Sequence, residues 1–262
     1  MRWDLFAILM LLPWAATFGG SLLAARLQGD GPKRQGGLLG FAAGVMIAAS
    51  IWSLILPAFE DAGHTPAGAG IVTLGFGLGC LGMLLLDKIV PHQHMDEDKP
   101  EGLPSHMARP KLLVLAVALH NIPEGLALGV VIAAAMQDAG MSWTAALAFG
   151  AGLALQNFPE GMAVVLPLRQ SGTSRKRCVW WGWWASLAEP AAAVAGILLT
   201  SFLNTLGGVV MPLSLCLAAG AMIFIVVEEL IPESQAGGHG HTATYGFLLG
   251  FWLMTLLGVL GG

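Results

Sequence analysis

Two six-residue segments of this chain carry side chains able to hold a cation. His120-Asn121-Ile122-Pro123-Glu124-Gly125 and Gln156-Asn157-Phe158-Pro159-Glu160-Gly161 share the pattern N-x-P-E-G, preceded by His or Gln. On a helix His120 and Glu124 stand at i, i+4 and Asn121 and Glu124 at i, i+3, so the three share one face; Gln156, Asn157 and Glu160 repeat the arrangement. Glu189-Pro190 supplies a third acid. One neutral imidazole with carboxylate and amide oxygens suits a borderline divalent cation such as Zn²⁺, with Fe²⁺, Mn²⁺ and Cd²⁺ also compatible. Three carboxylates outnumber the charge of one ion, which suits two adjacent ions bridged by Glu124 and Glu160.

These groups lie in segments that read as membrane spans. The chain is 262 residues long, 56% hydrophobic and 11% charged, with net charge −4 and mean hydropathy +0.73. A soluble domain carries roughly 25% charged residues. Stretches long enough to cross a bilayer, about 20 apolar residues each, fall near 5–26, 37–58, 69–90, 111–135, 143–168, 179–202, 207–231 and 243–261. The expectation is an all-α polytopic membrane protein: one transporter domain over 1–262, eight transmembrane helices, and a metal site between spans 4, 5 and 6. Residues 91–110 form the longer loop, on the cytoplasmic side. The stretch after Met1-Arg2-Trp3-Asp4 reads as the first span and not as a cleaved signal, because Asp4 spoils the positive leader.

Depth brings the candidate ligands together. Glu124, Gln156, Asn157, Glu160 and Glu189 lie within about five residues of their span midpoints, roughly 8 Å at 1.5 Å per residue. Each carboxylate at that depth costs about 2.5–3.5 kcal/mol on insertion scales, and such groups default to a functional reading. A lone intramembrane His or Asn is usually a helix–helix hydrogen bond; two matched hexapeptides and Glu189 at one level are not explained that way. Pro123 and Pro159 free the carbonyls of Leu119 and Leu155 and predict bends beside the site.

Of the 12 Lys and Arg, all but Arg2 lie in or at the edges of the loops after spans 1, 3 and 5, on the side shared with the loop after span 7. By the positive-inside rule that side is cytoplasmic and both termini are extracytoplasmic. Trp180, Trp181, Trp183 and Trp184 mark the cytoplasmic end of span 6. Gly36, Gly40 and Gly44, four residues apart, let a neighbouring helix approach closely. Cys80, Cys178 and Cys216 are widely spaced and read as apolar fillers.

At the paired hexapeptides and Glu189-Pro190 the chain resembles the ZIP (ZRT/IRT-like) family of divalent metal-ion transporters, in its GufA-like branch. The resemblance spans the whole chain and implies uptake of divalent metal, mainly Zn²⁺, into the cytoplasm. It implies that His120, Glu124, Gln156 and Glu160 hold one ion, and that Asn121, Glu124, Asn157, Glu160 and Glu189 hold a second. Some members carry Asp where this chain has Asn157, which removes one negative charge from the second position. By the same resemblance Asp87, His92, His94, Glu228 and Glu229 are candidates for an exit route, and Ser53 and Glu60 for the entrance. Taken alone, Asp87 and Glu228–Glu229 also read as snorkelling helix ends, His92 and His94 as solvated loop residues, Glu60 and Asp61 as surface charges, and His239-Gly-His241 as a polar linker.

The expected function is therefore a transporter and not an enzyme. An intramembrane zinc hydrolase needs about three protein ligands and a general base, whereas the spans hold one His and the chain has no H-E-x-x-H. A metal exporter, a metal-gated channel and a metal-responsive receptor remain as alternatives, since ligands and topology do not give the sign of flux. The metal is substrate; no cofactor and no nucleic-acid partner are expected, the bilayer is the surrounding partner, and a homodimer is left open. The expected location is a bacterial inner membrane.

Overall fold

The computed structural model describes residues 2–26, 32–93, 100–107, 109–137, 141–170, 172–203, 209–236 and 240–261. Its helices are α1 Trp3–Ala24, α2 Pro32–Ala49, α3 Leu56–Ala62, α4 Pro66–Ile89, α5 Arg109–Met136, α6 Trp143–Gln170, α7 Arg175–Ser186, α8 Ala188–Leu203, α9 Val210–Ile225, α10 Ile231–Gln235 and α11 Gly240–Gly261. Among the described residues there is no β-strand, only an isolated antiparallel bridge between His92 and Glu101. Seven helical stretches are long and apolar enough to cross a membrane. α6, a 28-residue helix packed along α1, brings the crossings to eight and is the fifth in chain order; Gln156, Asn157 and Glu160 at its centre lower its hydropathy. The chain is an all-α polytopic membrane protein.

Three crossings are interrupted in ways apolar patterning does not announce. The second runs α2, a π-helical segment Ser50–Ile55, then α3. The seventh runs α9, a π-helical segment Val226–Leu230, then α10. The cause is the same in both. Pro57 and Pro232 open the helices that follow, and a proline ring clashes with the carbonyl four residues back while lacking the N–H that would bond to it. A wider π turn relieves that clash. The sixth crossing breaks at Leu187, between α7 and α8. By contrast α5 and α6 run through Pro123 and Pro159 as continuous helices.

Glycine seals the closest helix pairs. A Cβ at Gly161 would run into the Thr17 carbonyl, and one at Gly20 into that of Phe158, so α6 and α1 meet backbone to backbone. Gly125 and Gly129 do the same for α5 against α8, Gly75 and Gly79 for α4 against α9, and Gly40 and Gly44 for α2 against α11. The pairs collect into two groups. One is α1, α5, α6, α7 and α8; the other is α2, α3, α4, α9, α10 and α11. They meet where α6 packs on α2 and α11, and where α5 packs on α9.

The apolar core is likewise divided. One cluster holds Val114, Met162, Val165, Cys178 and Ala185. The larger holds Ala127, Leu128, Ile132, Phe149, Leu153, Ala193 and Met222. Buried polar residues lie between those two clusters: His120, Asn121 and Glu124 on α5, Gln156, Asn157 and Glu160 on α6, and Ser186 and Glu189 across the α7–α8 break.

Candidate metal centre

Each amide side chain of this layer is held by a neighbour that leaves its oxygen over. Gln156 Nε2 donates to Glu124 Oε1 at 2.6 Å, joining α6 to α5. Asn157 Nδ2 donates to Glu189 Oε2 at 2.8 Å and to the Pro13 carbonyl at 3.4 Å, joining α6 to α8 and α1. Asn121 Nδ2 donates to the Ala185 carbonyl at 3.0 Å, just before the α7–α8 break. Every one of these amides spends its N–H on protein and keeps its oxygen.

The remainder is a set of oxygens. Asn121 Oδ1, Glu124 Oε2, Gln156 Oε1, Asn157 Oδ1, both carboxylate oxygens of Glu160, and Glu189 Oε1 are buried and accept no hydrogen bond. Their residues are at most 3% exposed. A buried acceptor without a donor costs about 1–3 kcal/mol, so seven together require positive charge or protons. Carboxylate and amide oxygens with one imidazole form a donor set for a divalent cation. All six oxygen-bearing residues come from three adjacent helices of one group.

His120 completes the layer and brings in the other group. Its Nε2 contacts Glu229 Oε2, from the second π segment. The side chain of Glu229 is thus buried beside the layer, while Glu228, its neighbour in sequence, is exposed. Sequence alone keeps the two acids together at the end of span 7; the structure separates them, because successive residues of a helical turn face different directions.

The remaining candidates lie further out. Ser53 is buried in the first π segment, 8% exposed, while Glu60 and Asp61 are exposed at the end of α3. At the end of α4, His92 Nδ1 donates to the Val90 carbonyl at 2.8 Å and its Nε2 faces Asp87 Oδ1 at 3.1 Å and Glu101 Oε2 at 3.9 Å. The ligand atoms of Asp87, His92 and Glu101 lie within 4.8 Å of one another. Glu101 is not among the residues the sequence singles out; the bridge that pairs its backbone with that of His92, N···O 3.2 and 2.9 Å, is what brings it in. His94 and His239 lie outside the described residues.

With this geometry in view, the chain's likenesses are consistent. A family model described as ZIP zinc transporter matches residues 91–258. The chain is 42% identical to zinc transporter ZIPB of Bordetella bronchiseptica, over 93% of this chain and 77% of that protein. It is 35% identical to zinc transporter GufA of Myxococcus xanthus, over 94% and 95% of the two chains. With the human zinc transporter ZIP11 it shares 32% identity over 94% of each.

Proposed function

The chain belongs to the ZIP family of zinc transporters, and on that premise we propose that it carries Zn²⁺, or a divalent cation of similar chemistry, into the cytoplasm through the buried polar layer of α5, α6 and α8. The observation that carries the assignment of residues is the set of seven buried acceptor oxygens without donors. In this reading His120, Glu124, Gln156 and Glu160 replace the water shell of one ion. Asn121, Glu124, Asn157, Glu160 and Glu189 serve a second, with Glu124 and Glu160 bridging the two. The metal is cargo and no covalent step is needed.

Entry runs past Glu60 and Asp61 towards Ser53. Release runs past Glu229 towards Asp87, His92 and Glu101, and the clustering of those last three supports it. Protons compete with metal for the same oxygens and imidazole, so acid weakens loading. The two helix groups supply the moving parts for alternating access. The reading includes a bacterial inner membrane with both termini outside, favoured by the one-sided Lys and Arg distribution. It also includes a homodimer, favoured by the open face of α4 at Gly70 and Gly77.

The test is flux in proteoliposomes together with binding in detergent. Glu124→Ala is expected to lower Zn²⁺ affinity by at least the 10–100-fold typical of disturbing a metal site and to abolish uptake, while the protein still elutes as a folded species. Full uptake by a folded Glu124→Ala protein would remove the polar layer from the transport path.

A further inference from the structure

Away from the metal path, α7 presents exposed charges and exposed indoles together. Arg175, Lys176 and Arg177 open the helix as consecutive exposed cations. Among the described residues no carboxylate pairs with them. Cations at a helix N-terminus oppose its macrodipole, so the triplet works against the helix that bears it. At the end of α6, Arg169 donates from Nη1 to the Thr173 carbonyl at 3.0 Å and its Nε has no acceptor, which adds a fourth positive charge at the foot of α7.

Topology accounts for basic residues on the cytoplasmic side and for indoles at the interface separately; the exposed indoles one and two turns further along α7 also share a helix face with the charges. Trp180 and Trp184 are 52% and 49% exposed. They pack with Trp183, ring centroids 5.3 to 5.9 Å apart, into one indole cluster. Lys176, Trp180 and Trp184 recur every fourth residue and so form a single stripe. Along the stripe Trp180 stands about 6 Å and Trp184 about 12 Å from Lys176 at 1.5 Å per residue, so the charge lies at the headgroup layer and the indoles just below it. Charge at the top and flat, amphipathic rings below match the polarity of a phospholipid from its headgroup to its upper acyl chain.

We propose that this face of α7 binds an anionic phospholipid, its phosphate on Lys176 and Arg177 and its glycerol and upper acyl chain against Trp180 and Trp184. The occupied face is tied to the metal layer: the Ala185 carbonyl at the far end of α7 accepts from Asn121, and the break at Leu187 precedes Glu189. A bound lipid that steadies α7 therefore steadies one wall of the site.

The experiment counts lipids retained by purified full-length protein in non-ionic detergent, by native mass spectrometry, with phosphatidylglycerol or phosphatidylcholine added. Phosphatidylglycerol is expected to bind more tightly, and Lys176→Gln with Arg177→Gln to weaken it about 30-fold, at about 1 kcal/mol per basic side chain near a membrane surface and 1.4 kcal/mol per tenfold. Phosphatidylcholine binding should not change. In wild-type protein, which needs no variant to fold, the preference should vanish in about 1 M salt, where charges are screened beyond roughly 3 Å. Equal retention of the two lipids, a preference that survives salt, or an unchanged double variant overturns the proposal. Displacement of phosphatidylglycerol by an equal concentration of inorganic phosphate overturns it in favour of a free-phosphate site.

Discussion

Asn157 has its two ends committed to different tasks. Its N–H group holds Glu189 and the Pro13 carbonyl, while its Oδ1 is one of the buried oxygens without a donor, which the proposed function gives to a cation. Asn157→Asp deletes both donated bonds and adds a carboxylate beside Glu189. Without metal the change should destabilise the protein by about 1–3 kcal/mol, the cost of leaving buried groups unpaired. With zinc the added charge should tighten the second position. The gap between melting temperatures with zinc and with a chelator should therefore be wider than in the parent protein. A gap that stays the same or narrows would remove Asn157 from the ligand set. At this scale the sequence is legible within a helical turn and not beyond it. His120 and Glu124 can be placed on one face by counting, but the contact from His120 to Glu229 spans 109 positions. No spacing rule connects them, and the Ala185 carbonyl that receives Asn121 carries no side-chain signal at all.

Elements decide which way those residues point. Glu229 reaches the layer because it stands in a π segment that ends just before Pro232. Both prolines, Pro57 and Pro232, are visible in an apolar run. What cannot be read is that the helix answers each with a wide turn in place of a stop, since that choice depends on neighbours packed around the segment. Replacing Pro232 with Ala removes the ring clash and lets the ladder close as an ordinary α-helix. Each residue of register turned that way rotates Glu229 by about 100°, away from His120. Helix propensity should rise by up to about 3 kcal/mol, so the variant should melt no lower than the parent. Its zinc uptake should nonetheless fall about 10-fold or more, in the range for losing an outer partner of a metal site. Raised stability with undiminished uptake would separate the π segment from transport. In α6 likewise, the polar centre that lowers the helix's hydropathy is what carries its buried Gln156, Asn157 and Glu160.

The whole molecule divides along a line the sequence does not draw. The six residues with donor-free buried oxygens belong to one helix group, and Glu229, in contact with His120, comes from the other, so this polar layer lies against the boundary between them. Where α2 and α6 meet, that boundary is lined by Leu38 and Leu39 on one side and Met162, Ala163 and Leu166 on the other. A neighbouring apolar crevice adds Phe41 and Phe158. These contacts lack the backbone-to-backbone glycine approach found within each group, as at Gly161 against Thr17 or Gly79 against Leu217. If transport needs the groups to move past one another, a short cross-linker between Cys introduced at Leu38 and at Ala163, with Cys80, Cys178 and Cys216 replaced by Ala, should stop zinc uptake. Zinc binding should remain, because all seven donor-free oxygens sit on one side of the link. A longer, flexible linker should restore uptake in proportion to its reach, which a merely damaged site would not allow. Undiminished uptake under the shortest link would mean that the ion passes without relative motion of the two groups.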